Sequence, residues 1–533
     1  MQTDTKLKLL FAIIISISIG ACATYNFRNT YKNANQLIHE HSNVNTKPFL
    51  KAHIKNGDVC ILNEDWNIDT INNKVIGFGT QYDFNRKKTY QGQLSIPIDS
   101  VALFETNKKL ENTESARIAA ISILTSVDAA IGIMCLTNPK ACFGSCPTFY
   151  LNENDNFHYA DAEGFSNAIA PSLEYSDIDA LKQINSKDGL FSITMKNEAL
   201  ETHCINDLKL LAYPCKTNQR VFQNRYNNFY LCENTYPLTD ANANGIDNTY
   251  FLKSEDRKEL FSYADDKNLS AKEEIILNYD NIQNTKDLGL IINFRQTLMT
   301  TYFIYSALGY MGDEVSDIFA GIEKSKDTKS KLDGGLKKEL GDIDVYQFNT
   351  QTNTWEKING LYETGPIAIN RQIVPLKNIS KNNNVKLKIV LNKGLWRIDY
   401  TSLTNIIREV TPIELEAKSI YNKGMLDHQA FKDLKSSQNR LISMPGSEYK
   451  FNFEFPEANT KYEVFLYTKG YYLEWMRNHW IKDKNLSKLY QMVYLPKKYL
   501  KEEAQQYKIY EQTMENEFWN SKIDTKTFSY YEK

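Results

Sequence analysis

Lys6 and Lys8 lead into an apolar run over residues 9–19, and Ile19-Gly20-Ala21-Cys22 closes it. A short positive segment, an apolar stretch of roughly ten residues and small residues before a cut are the parts of a secretory signal. The run is too short for a bilayer span, which takes about 20 apolar residues. It constrains the fold because everything after it is expected to fold outside the cytoplasm, where disulfides persist. Removal of residues 1–21 leaves a chain long enough for about three domains.

Ile19, Gly20 and Ala21 before the cysteine resemble the bacterial lipobox, and that resemblance implies that Cys22 carries thioether-linked and amide-linked acyl chains. One acyl chain anchors marginally, whereas two or more anchor stably. Ala23 and Thr24 follow, with no aspartate next to the cysteine and no acidic cluster. Among bacterial lipoproteins that pattern implies the outer membrane, facing the periplasm. Residues 22–50 then read as the lipidated cysteine and a polar, flexible tether. His39-Glu40-His41 lies in this tether, which cannot preorganise a metal site.

Net charge is −2, which gives no electrostatic case for nucleic acid. The 33 tyrosines and 26 phenylalanines favour pleated, half-buried surfaces and tilt the chain towards β structure. Of eight cysteines, lipid takes Cys22 and leaves Cys60, Cys135, Cys142, Cys146, Cys204, Cys215 and Cys232, an odd number. Cys142 with Cys146, and Cys204 with Cys215 or Cys232, are candidate bridges, and spacing alone does not choose between them. A zinc site from Cys142 and Cys146 lacks a second close pair.

From Lys51 onward short alternating segments such as 59–62, 75–79 and 94–98 predict a small antiparallel meander or barrel over 51–108. Gly77 and Gly79 are too sparse for a phosphate loop and read as a bend in a strand. Residues 109–141 contain a second apolar run, 116–136. Asp128 near its centre favours a buried helix over a membrane span, and Asn138-Pro139 stops it. A central α+β domain is expected over 142–322, with a helix from Phe294 to Met311 ended by Gly312. Lys, Asp, Ser and paired glycines mark 323–341 as a linker. Alternation resumes over 342–470, similar to a jelly-roll carbohydrate-binding sandwich, and 471–533 reads as a helical tail. The fold class expected is mainly β with α elements, a multi-domain α+β chain.

Cys142-Phe-Gly-Ser-Cys146-Pro147-Thr148-Phe149-Tyr150, Ala162-Glu163-Gly164-Phe165-Ser166 and Asn197-Glu198-Ala199-Leu200-Glu201-Thr202-His203 resemble segments of a family of uncharacterised exported bacterial proteins. The likeness extends through Arg295-Gln296-Thr297-Leu298, Gly394-Leu395-Trp396-Arg397-Ile398-Asp399-Tyr400 and Gly470-Tyr471-Tyr472-Leu473-Glu474-Trp475. It covers most of the mature chain and implies no activity.

HExxH, GxSxG, P-loop and GxGxxG patterns are absent, and no residue is assigned a catalytic role from sequence. Asp240, Asn242, Asn244 and Asp247 place oxygen side chains around Gly245, like the first half of a calcium loop. The glutamate expected at the twelfth position is replaced by Phe251, and Asn, Asp and Gly also simply make turns. Two readings of function follow. One is a non-enzymatic envelope lipoprotein that binds a glycan or envelope protein, with Trp355, Trp396 and Trp475 as candidate contact residues. The other is an envelope enzyme acting on glycan or by thiol exchange through Cys142 and Cys146, whose spacing differs from the CxxC of oxidoreductases. Binding is preferred.

Overall fold

The computed structural model describes residues 26–31, 50–54, 58–63, 65–82, 88–109, 146–151, 160–169, 173–186, 188–199, 201–283, 287–312, 318, 335–362, 365–377, 383–436, 439–443, 446–474 and 483–526. Cys22, Cys135, Cys142, the apolar segment 116–136 and Trp475 lie outside them. The chain divides into two compact units, one of 1–137, 306–324 and 475–489, the other of 138–305, 325–474 and 490–533. Among the described residues no helix is long and apolar enough to cross a membrane.

The first unit holds β1 (Asn26–Tyr31), β2 (Leu50–Ile54), β3 (Val59–Leu62), β4 (Asn67–Asp69), β5 (Lys74–Tyr82), β6 (Lys88–Pro97) and β7 (Val101–Lys109). They form one antiparallel sheet in the order β1-β7-β2-β3-β5-β4, with β6 also on β5. Alternation sends Leu50, Ala52, Leu62, Val75 and Phe104 into a core around Trp66. Gly79 lets β5 approach β3, since a Cβ there would lie 2.1 Å from the Ile61 carbonyl oxygen. The expected tether is corrected in part. Asn26–Tyr31 pairs with β7, because its backbone completes that strand's open edge.

The second unit is built from two repeats with the same order of elements, save that two short strands of the first have no counterpart in the second. The front half of the first repeat holds β8 (Thr148–Tyr150), β9 (Ala162–Glu163), β10 (Tyr175–Ala180), β11 (Ile184–Ser186), β12 (Leu190–Lys196) and β13 (Glu201–Pro214). Its back half holds β14 (Gln219–Gln223), β15 (Phe229–Pro237), β16 (Asp240–Ala243), β17 (Ile246–Asp247), α1 (Thr249–Leu252), β18 (Leu260–Phe261), β19 (Lys272–Tyr279) and β20 (Leu288–Gln296). Helix α2 (Met299–Met311) follows. The second repeat opens with β21 (Ile343–Asn349), β22 (Thr354–Leu361), β23 (Asn370–Pro375), β24 (Val385–Asn392) and β25 (Trp396–Val410). It closes with β26 (Ile413–Glu416), β27 (Ser419–Asn422), β28 (Met425–Leu426), α3 (His428–Lys435), β29 (Leu441–Ser443), β30 (Glu448–Glu454) and β31 (Thr460–Glu474).

The halves are exchanged. One sheet runs β28-β27-β30-β12-β8-β9 and its counterpart runs β17-β16-β19-β24-β21-β22. Each joins the front half of one repeat to the back half of the other. The remaining two sheets obey the same rule, with β31 between β10 and β13, and β20 between β23 and β25. Two modules result, each with strands from both repeats, and in each a short helix contacts both sheets. The hairpins before these helices match as well: Asn244-Gly245 has φ of 52° and 82°, Lys423-Gly424 has 46° and 82°. Both residues lie in the left-handed region that a two-residue hairpin turn requires.

The expected boundary near residue 342 therefore separates two repeats along the chain and not two folded bodies. Residues 335–340, placed in the linker from sequence, are helical. The helix expected from Phe294 is also corrected. Phe294, Arg295 and Gln296 end β20, whose residues are all buried, and Thr297 Oγ1 accepts the Met299 N–H at 3.1 Å where α2 begins. A fully buried strand and a buried helix give the same apolar run. Cys204, Cys215 and Cys232 are buried and outside any disulfide, so the expected bridges among them do not form. Cys204 in β13 and Cys232 in β15 belong to different sheets. The tail forms α4 (Leu486–Tyr494), α5 (Pro496–Glu502), α6 (Ala504–Glu511) and α7 (Met514–Ser521), and Tyr499 and Tyr507 pack against Phe303 and Tyr302.

Exchange has a direct consequence. Residues 1–324 and 325–533, produced together as separate chains, are expected to elute as one complex of the intact mass, because each half-module finds its partner only in the other chain. Elution of two separately folded species in size-exclusion chromatography would refute the exchanged pairing.

Candidate functional site

Strand register gathers a buried polar cluster in the second unit. In the β13–β31 ladder Glu201 stands opposite Glu474 and His203 opposite Tyr472, so all four share one face. Glu201 and His203 have no exposed surface, and His203 Nε2 lies 2.7 Å from Glu201 Oε1. Cys146, before β8, donates its thiol hydrogen to Glu163 Oε2 at 3.3 Å, and its sulfur lies 3.1 Å from Ser166 Oγ. Tyr472 donates to the Ser166 carbonyl oxygen at 2.9 Å. Cys146, Ser166, Tyr472 and Glu474 line a cavity of about 20 Å³ with Thr301 and Tyr305 of α2. That is room for about one water molecule.

Glu163 ties this cluster to the other module. Its Oε1 accepts the N–H groups of Ile367 and Ala368 at 3.0 and 3.3 Å, just before β23. Its own N–H donates to Asp179 Oδ2 at 2.7 Å, and Asp179 Oδ1 accepts from Asn370 Nδ2 at 3.2 Å. Burial pushes the Glu163 carboxyl up to about 7, although the donors of Ile367, Cys146 and Ala368 pull the other way. Burial, and then the charge of Glu163, push the Cys146 thiol well above its ordinary range. Asp177, which accepts the Phe165 N–H at 3.1 Å, is raised by burial too. A nucleophilic cysteine needs the reverse, a lowered pKa in an electropositive and accessible setting.

A second network braces the tail. Arg295, 1% exposed, forms a two-pronged pair with Glu259 at 2.6 and 2.7 Å and reaches Glu515 of α7 at 3.0 Å. Arg397 Nε lies 3.1 Å from the same Glu515. Burial pushes the Glu515 carboxyl up, but Arg295 and Arg397 outweigh it and hold it below its usual range.

The four residues proposed from sequence for calcium lie in the β16–β17 hairpin and bond to protein groups there and on its neighbours. Asn242 Oδ1 accepts the Gly245 N–H at 2.8 Å, Asp247 Oδ1 accepts the Thr249 N–H at 2.9 Å, and Asp240 Oδ2 accepts from Asn278 at 2.7 Å. Asn244 supplies the left-handed turn residue. Among the described residues no group of three or more His, Cys, Asp or Glu side chains could hold a metal ion. Cys146 is a free thiol, and Cys142 and Cys22 lie outside the described residues. Trp396 is buried at 2% exposure and serves the core, whereas Trp355 is half-buried on β22. Sequence reasoning assigned no role to Glu163, Glu201, His203 or Tyr472. The available signal was two ionisable residues two apart, Glu201 and His203, just ahead of Cys204 and Ile205 in a segment with alternating Leu208 and Leu210.

An open groove of about 800 Å³ crosses the outer face of the β28-β27-β30-β12 sheet. Alternation turns Ile193, Phe451 and Ile420 inward and leaves Ser192, Asn452, Ser419, Tyr421 and Lys450 on the groove side. Asn452 Nδ2 donates to Ser419 Oγ at 3.0 Å. A half-buried aromatic ring beside amide, hydroxyl and charged groups suits a hydroxyl-rich ligand with apolar faces.

No protein-family model and no curated protein matches the chain. Among solved structures, a beta-porphyranase of glycoside hydrolase family 86 from the human gut bacterium Bacteroides plebeius is similar over 44% of this chain at 11% identity, with a TM-score of 0.15. The match spans 37% of that chain's length, and a likeness this slight carries no argument about activity.

The buried carboxyl gives a signed pH dependence. Folded Glu163 holds its proton up to about pH 7, while the unfolded group releases it near 4.5, so stability from this group is full below 4.5 and is lost as pH rises through 7. Glu163→Gln is expected to flatten the fall between pH 4.5 and 7.5 by roughly 3 kcal/mol in denaturant melts. A variant whose pH profile runs parallel to the parent's would show that Glu163 is not the group.

Proposed function

We propose that this chain is a lipid-anchored component of the bacterial cell envelope that binds a glycan and does not turn it over. The observation that carries the reading is the contrast between its two polar sites. The cluster with catalytic residue types leaves a cavity of only about 20 Å³, and burial and then the charge of Glu163 push its thiol well above the ordinary range. The open site of about 800 Å³ offers Tyr421, Asn452, Ser419 and Ser192 on a rigid sheet. Volumes of about 300–1,000 Å³ are those of small-molecule sites. Anchoring rests on Lys6, Lys8, the apolar run and Cys22, which together support attachment at the outer membrane facing the periplasm.

The test is a glycan array with the mature protein, run beside Tyr421→Ala and Asn452→Ala. Binding that falls about tenfold or more in either variant, about 1.4 kcal/mol, is expected. Binding unchanged by both substitutions, or turnover of a bound glycan, would overturn the proposal. In parallel, metabolic labelling with an alkyne fatty acid is expected to mark the parent chain and to leave Cys22→Ser unmarked.

A further inference from the structure

The exchanged repeats give the groove a counterpart. Sheet orders β28-β27-β30-β12-β8-β9 and β17-β16-β19-β24-β21-β22 correspond strand for strand. The correspondence reaches single side chains: Asn452 donates to Ser419 at 3.0 Å, and Asn278, at the matching place, donates to Asp240 at 2.7 Å. The outer face of the β16-β19-β24-β21-β22 sheet therefore occupies the position that the groove holds in the other module.

That face is chemically different. Lys386 and Lys388 lie two apart on β24, and Tyr346 stands opposite Lys388 on β21, so these side chains share the solvent side while Leu387, Ile389 and Val345 point inward. Phe348 follows Tyr346 on the same side, and Trp355 of β22 stands opposite Phe348, ring centroids 5.2 Å apart. The Lys386 ammonium lies 5.4 Å from the Phe348 ring centroid and 5.8 Å from that of Trp355. Lys388 lies 5.1 Å from Tyr346 and 5.2 Å from Trp355. Lys388 also pairs with the exposed Glu274 at 3.1 Å. Lys386 is exposed and has no ion pair among the described residues.

We propose that Tyr346, Phe348, Trp355, Lys386 and Lys388 form a second docking face, one that takes an extended acidic polysaccharide. The occupant follows from charge complementarity. Three rings on one sheet face offer an apolar platform for sugar rings, and the exposed Lys386 ammonium, about 7 Å along the strand from the Glu274-paired Lys388, suits a carboxylate or sulfate group. A neutral glycan would leave the Lys386 ammonium unused. An exposed charge of this kind adds affinity that fades with salt. This inference deepens the glycan-binding reading and rests on it for the ligand class, but it uses a different face.

The experiment is affinity electrophoresis of the full mature protein through gels containing polygalacturonate or, as the neutral probe, dextran. Lys386→Gln and Trp355→Ala are each expected to weaken retention by polygalacturonate, by about fivefold to tenfold, and Lys386→Gln to reduce its salt dependence. Retention by dextran should not change in either. Lys386→Gln removes a charge at an exposed position and keeps the test valid should Trp355→Ala lower the melting temperature. Tyr421→Ala separates the two faces. Loss of polygalacturonate retention in Tyr421→Ala, with none in Lys386→Gln or Trp355→Ala, overturns the second face and keeps the groove. Loss in Lys386→Gln alone keeps the second face whatever becomes of the groove. Failure of the parent chain to be retarded by polygalacturonate overturns the second face outright.

Discussion

The antiparallel ladder of β13 with β31, and its counterpart of β20 with β25, is the constraint on which the second unit depends. Each ladder runs through the middle of a sheet and pairs strands from different repeats. Long-range pairing of this kind costs loop-closure entropy before its contacts form, so neither repeat has a complete sheet until the other has been made. What the ladder secures is register. Glu201 and His203 face the cluster only because they stand opposite Glu474 and Tyr472. A slip of β13 by one residue would turn Glu201 and His203 to the other side.

Exchange also explains why so much ionisable chemistry is buried where the modules meet. Glu163 from the first repeat accepts two backbone donors of the second, and Asp179 meets Asn370 across the same boundary. The fit is close, since a Cβ on Gly365 would come within 1.5 Å of Glu163 Oε1. A carboxylate in such a place is costly unless its oxygens are occupied. Both oxygens of Glu163 are occupied, and its raised pKa lets the remaining cost be met by protonation. The arrangement fastens the two modules, because two of the donors to this carboxylate are backbone N–H groups just before β23.

Local structure was legible in the sequence and partnership was not. Alternation over 343–361 and 385–400 marks β21, β22, β24 and the start of β25, since a half-buried strand writes its two faces into every second residue. Exchange leaves no such local mark, because the two repeats carry nearly the same pattern. The duplication itself is readable in retrospect. Leu181-Lys182-Gln183-Ile184 precedes Asn197-Glu198-Ala199-Leu200 as Leu376-Lys377-Asn378-Ile379 precedes Asn392-Lys393-Gly394-Leu395. Asn197 and Asn392 are each fully buried and donate to backbone carbonyl oxygens, of Glu201 and Leu269 respectively, which explains why both positions hold asparagine. Residues 240–247 form a hairpin, the turn alternative that the sequence left beside calcium, because turn chemistry and metal chemistry use the same oxygen side chains.

Two copies of one architecture are held to different degrees in different places. Inward positions such as Phe451 and Leu277 must fill a close-packed interior, and turn positions such as Gly245 and Gly424 must reach left-handed backbone, so both copies answer the same demands. Outer-face positions carry neither demand. There Ser192, in its copy, stands opposite Asn452, while Lys386 stands opposite Asn278. Packing fixes the scaffold and leaves the outer faces to diverge, and such faces are where a rigid sheet can acquire separate ligands at little cost to its stability. On this argument the chemistry of the chain should be sought on its two outer sheets, with the buried cluster holding them in register.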